Sequence, residues 1–204
     1  MGFGQLRSLA LGSVAAAAIA LAPSLSYAVP IIDFSGQAGG TVTVSGGNAV
    51  GTNVSISHVQ GIDTPSNSGP QFVVTNGVLN FDTVAGTLSI MGGVADAGIA
   101  NGSLLLSGTI SSFSITSNLA GISFTATGPD TKSREILRFF GLPLNTSFAY
   151  FGFSTDATTA TPGTFNAVST DITNVAVPEP ASVLLLGSGL AAIGLWGMKR
   201  RKSA

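Results

Sequence analysis

The sequence predicts an all-β body: an antiparallel β-sandwich or partly closed barrel with one short helix, preceded by a signal helix and followed by a transmembrane helix. Three observations carry this prediction. Across most of residues 29–176, apolar side chains alternate with Ser, Thr and Gly at a period of two. Glycine and asparagine interrupt these runs at short intervals, as turns between strands require. The small polar positions imply one wet face, hence antiparallel pairing, and the spacing gives about ten strands.

Met1–Ala28 reads first as a secretory signal peptide. Arg7 is its only charge, and Leu9–Leu21 is an alanine-rich apolar run that Pro23 breaks. Ser26-Tyr27-Ala28 places small residues where a signal peptidase needs them, so cleavage after Ala28 would leave Val29 as the mature N-terminus. An uncleaved N-terminal anchor is the rival reading. Both put the body outside the cytoplasm.

Residues 29–176 then form the ectodomain, about 148 residues, enough to bury a core without disulfides. Thr41–Ser45 alternates strictly, and Val54, Ile56 and His58 are expected to share one face. Gln71–Thr75 and Val78–Thr83 flank Asn76-Gly77, which reads as a tight hairpin turn. Gly86–Met91, Ser103–Ile110, Ser112–Ser117, Ile122–Thr127, Phe148–Ser154 and Phe165–Val175 continue the pattern. Alternation slips around Ser111-Ser112, the mark of a bulge or a turn. Gly86–Gly108 is glycine-dense but lacks the Gly-Lys-Ser/Thr ending of a phosphate loop, so its glycines read as turn residues.

Asp130–Gly141 departs from the period of two. Ile136, Phe139 and Phe140 fall on one helical face, Asp130 or Thr131 is placed to cap it, and Gly141 and Pro143 end it. A short amphipathic helix across the sheet is expected, with a charged edge strand as the alternative. Arg134, Glu135 and Arg138 read as its solvated side.

The tail, residues 177–204, has three parts. Pro178-Glu179-Pro180 fixes an extended strip poor in hydrogen bonds, easily laid into an enzyme groove. Ala181–Met198 carries no charge and would reach about 27 Å as a helix, close to the thickness of a bilayer core. Its glycines make it a poor helix in water, whereas lipid leaves helix as the only acceptable form. Trp196 sits at an interfacial position, and Lys199, Arg200, Arg201 and Lys202 form a cytoplasmic stop.

Strip, span and basic stop in this order resemble the PEP-CTERM sorting signal of Gram-negative bacterial surface proteins. The resemblance implies that an exosortase recognises Pro178, Glu179 and Pro180, which are then substrate residues for another enzyme. It also implies transient anchoring in the inner membrane through the C-terminal helix, then export to the cell surface or beyond, often among exopolysaccharide.

The remaining chemistry is sparse. Asp33, Asp63, Asp82, Asp96, Asp130, Glu135, Asp156 and Asp171 outnumber Lys132, Arg134 and Arg138 in the ectodomain. No basic face exists for nucleic acid. Without cysteine, and with His58 the single histidine, neither thiolate nor histidine-rich metal sites are available. His58 reads as a half-buried sheet position. No catalytic, cofactor or metal-binding residues are assigned, and no enzyme is expected. Asn53, Asn101 and Asn145 sit in glycosylation-type triplets that chance explains in so Ser/Thr-rich a chain. The first expectation is a structural surface or matrix protein associated with exopolysaccharide. A carbohydrate-binding module or adhesin is the alternative, with Phe72, Phe148, Tyr150, Phe151 and Phe153 as the aromatics to line its face. A hydrolase of the envelope would need two converging acids.

Overall fold

Where the period of two runs unbroken, the chain is strand. The computed structural model describes residues 29–118 and 121–176; the expected signal helix and transmembrane helix both lie outside these residues. Ten strands result: β1 (Ile31–Gly36), β2 (Thr41–Ser45), β3 (Asn48–Ile62), β4 (Gln71–Asp82), β5 (Thr87–Val94), β6 (Ile99–Thr109), β7 (Ser112–Asn118), β8 (Gly121–Lys132), β9 (Phe148–Thr161) and β10 (Thr164–Ala176). One 3-10 turn at Ala95–Ala97 joins β5 to β6, and one helix, α1 (Arg134–Phe139), joins β8 to β9. The body is therefore mostly antiparallel sheet. The six-residue β1 is a strand that the alternation did not single out.

Two of the strands are continuations of their neighbours. β1 and β2 both pair with β3 on one side and β10 on the other, in the same direction. Between them the backbone stays bonded on both flanks: Ser55 N–H donates to Gly39 O (3.0 Å) and Ala167 N–H to Gly40 O (3.1 Å). β6 and β7 likewise share β8 as partner. Ser111 N–H donates to Thr127 O (2.8 Å) at their junction, so the slip expected there is an irregularity in one long run, not a turn.

The pairings form a circuit. From β3 they pass through β4, β5, β6, β8, β9 and β10, then return to β3 across β1 and β2. Every link is antiparallel, as the Ser/Thr-rich outer positions require. Inside lie Ile32, Phe34, Val54, Ile56, Leu79, Ile90, Leu106, Phe124 and Ile172, all buried. Each such large side chain contributes roughly 1.5–3 kcal/mol on burial. The rings of Phe81 and Phe124 stack across this interior at 4.6 Å.

Three expectations are corrected here. Asn76-Gly77 is not a hairpin turn, because β4 runs through it. Asn76 takes φ +51°, and the registers with β3 and β5 both step nearby, which makes the pair a bulge. Glycine is needed at 77, since a Cβ there would lie 2.2 Å from Ile56 O. His58 does not share the face of Val54 and Ile56. The register of β3 shifts between Ile56 and His58, so Val59 takes the inward place and His58 turns out, half-buried.

The third correction concerns the helix, which begins later than expected. Asp130–Lys132 complete β8 by alternation, and Ser133 caps α1 by accepting from Ile136 N–H (3.2 Å). Of the expected face, Ile136 and Phe140 are buried and Phe139 is half-buried; Leu137, which was not counted in it, is buried as well, while Arg134, Glu135 and Arg138 are exposed. Glu135 in the first turn and Arg138 in the last suit the helix dipole. Gly141, at φ +71°, ends the segment.

Candidate functional site

The expected processing strip Pro178, Glu179 and Pro180, the stop Lys199–Lys202 and the leader cleavage residue Ala28 all lie outside the described residues. What the fold does place is the point where the described body meets residues 1–28 on one side and the chain after residue 176 on the other. β1 begins three residues after Ala28, and β10 ends two residues before Pro178. These two strands pair with each other, Ile31 opposite Val175 and Ile32 opposite Asn174. The start and the end of the described body therefore lie at one end of the sheet, on neighbouring strands.

Asn174 binds that corner from inside. Its side chain is fully buried, and Nδ2 donates to Ile32 O (3.0 Å) and Ile172 O (3.1 Å), while Oδ1 has no hydrogen-bond partner. An amide is one of few side chains able to bridge two strands' carbonyls this way. On the outer side of the same strands, Thr173 Oγ1 donates to Asp33 Oδ1 (3.0 Å). Partial burial and the negative charge of Asp171 push the Asp33 carboxyl up to about 6, against the opposing pull of the Thr173 hydroxyl. Asp171 stands opposite Ser35, two residues along from Asp33.

A second ionised group lies inside the sheet. Lys132 Nζ donates to Asp130 Oδ1 with both side chains fully buried, and the ammonium sits 3.9 Å from the centre of the Phe148 ring. Burial pushes Lys132 down to about 8 and Asp130 upward; the mutual attraction opposes both shifts. Asp130 Oδ2 has no hydrogen-bond partner. The low-dielectric surroundings make this pair costly to break, and its full enclosure separates it from any external substrate.

Sequence reasoning missed both features. The buried pair was legible in the inward run Ile122, Phe124, Ala126, Gly128, Asp130, Lys132, had the period of two been followed to its end. The Asp33–Asp171 proximity had no such signal, since only cross-strand register creates it. The other candidates stay apart. His58 Nδ1 lies 2.9 Å from Ser57 Oγ, and that hydroxyl also donates to Ser35 O (3.3 Å), so Ser57 is engaged with the sheet. Phe148 is buried, and Phe72 packs edge-on against Phe139 at 4.8 Å. The side chains of Tyr150, Phe151 and Phe153 lie outside the description. Among the described residues, no three or more acidic, histidine or cysteine side chains converge as a metal site would need, and no helix is long and apolar enough to cross a membrane.

Comparison with protein families places a PEP-CTERM protein-sorting motif at residues 176–202. The match begins at Ala176, the last residue of β10. No curated protein and no solved structure compared with the chain matches it. The motif indicates an exported protein that exosortase targets, held in the membrane until it is cleaved.

Proposed function

We propose that this chain is a non-enzymatic surface or matrix protein, delivered through its sorting motif and lodged among exopolysaccharide after exosortase cuts the tail. The observation that carries the reading is the seam at the edge of the described body. The motif starts where β10 stops, so removal of the tail would leave the paired strands intact. The Ala28 cleavage site, the membrane helix over 181–198 and the cytoplasmic Lys199–Lys202 stop belong to this reading. The cyclic pairing favours a barrel over a sandwich as the shape of the delivered body.

One outer row of side chains supports contact with a hydrated polymer. Ser114, Thr125, Ser154, Asp171, Ser35 and His58 follow one another in register across β7, β8, β9, β10, β1 and β3. Neighbours in such a row stand about 4.8 Å apart, a spacing at which hydroxyls and carboxylates can bond successive hydroxyls of a polysaccharide.

The mature protein's mass, measured from cells with and without exosortase, tests the delivery. Loss of the segment containing Trp196 only when the enzyme is present is expected. A mature species that keeps Trp196 in normal cells would overturn it. Co-sedimentation with exopolysaccharide from the same cells tests the second half, and failure to sediment with it removes the matrix role while leaving the sorting intact.

A further inference from the structure

We propose that β7 is a self-association edge, through which a second copy of this chain adds its own β7 in antiparallel register. β7 pairs with β8 from Ser112 opposite Thr127 to Asn118 opposite Gly121, and among the described residues no strand covers its other side. An open strand edge is a template for another strand, and proteins that avoid such pairing guard it with charge or proline. β7, SFSITSN, has neither.

The occupant follows from the strand's own chemistry. The ectodomain carries eight acids against three bases, so copies repel over most of their surface. β7 is the place where they meet without any charge in contact. Antiparallel pairing centred on Ile115 sets Ile115 against its counterpart, Phe113 against Ser117, and Ser114 against Thr116. The apolar side of this pair would cover Phe113, 38 % exposed, and the half-buried Ile115. The β4–β5 turn adds Val84, 74 % exposed, and is tied to the root of β7 by Ile110 N–H donating to Gly86 O (2.8 Å).

Two-fold pairing of this kind is closed, since each copy uses the same edge and leaves none free. It also fixes geometry. β7 runs opposite to β10, hence away from the end at which β10 stops, so the ends of the two β10 strands lie on opposite sides of the pair.

The full chain in a mild non-ionic detergent, studied by sedimentation velocity across a concentration series, tests the proposal. A reversible dimer is expected. Ser114→Lys with Thr116→Lys alters exposed, outward positions and places lysines opposite each other in the pair, weakening association roughly tenfold or more. Circular dichroism should stay unchanged. The cysteine-free chain permits a second measurement, in which mixed Ser114→Cys and Thr116→Cys chains form a disulfide faster than either alone. A native chain that stays monomeric, a dimer indifferent to the lysines, or equal cross-linking of mixed and single variants would each overturn the proposal.

Discussion

Asn174 reaches from β10 to the carbonyl of Ile32 on β1, joining the last described strand to the first. The two residues lie at opposite ends of the ectodomain sequence yet close one corner of the sheet. The described body begins and ends at that corner, and the sorting motif starts there. β10 also pairs with β2 and β9, so the circuit of strands is complete only when the end of the body has arrived. In an exported chain, closure of the sheet therefore waits for the residues that immediately precede the sorting motif.

Asn174→Ala should loosen this corner first. The substitution removes two hydrogen bonds made from a fully buried site, and a loss of about 1–3 kcal/mol is expected. Urea unfolding measures the total. Hydrogen exchange should show faster opening of β1 amides than of those in β5, whose partners β4 and β6 are untouched.

The Asp130–Lys132 pair should behave as an enclosed ion pair. Lys132→Met alone leaves Asp130 in an apolar interior without its cation and should cost about 3–5 kcal/mol. Lys132→Met with Asp130→Leu should recover most of that loss. A double variant as unstable as the single one would show that Lys132 stabilises through its packing on Phe148 and not through charge.

Asp33 gives the sheet a pH dependence of definite sign. From the ordinary aspartate range up to about 6, the folded chain keeps a proton that the unfolded chain releases. The contribution of this group to stability is present below that window and falls as pH rises through it. Asp33→Asn should therefore stabilise the protein at pH 7 and flatten the profile between pH 4 and 6. The gain should stay below about 1 kcal/mol, because the carboxyl is partly solvated. Thermal unfolding across pH 4–7.5 measures both effects.

Much of the architecture was written in local pattern. Thr41–Ser45 alternates apolar and polar residues, and both it and Phe165–Val175 became strands near their expected bounds. Ile136, Phe140 and Gly141 likewise set the helical face and its end. The misreadings share a cause. Asn76-Gly77 has the chemistry of a hairpin turn, but a left-handed residue followed by glycine serves a bulge equally well. Which of the two forms depends on whether the flanking strands pair with each other or with a third strand. His58 was misplaced for a related reason, since one register step reverses every later side chain.

By itself, the sequence determined the sorting motif and the class of fold. Length, apolarity and order are enough to read the proline strip, the greasy run and the basic stop, and strand periodicity needs only neighbouring residues. Tertiary structure alone decided that β1 meets β10, that Asp33 and Asp171 come close, and that β7 is left with an open side. Each of those facts depends on which distant segments pair and in what register, and a linear pattern holds no record of either.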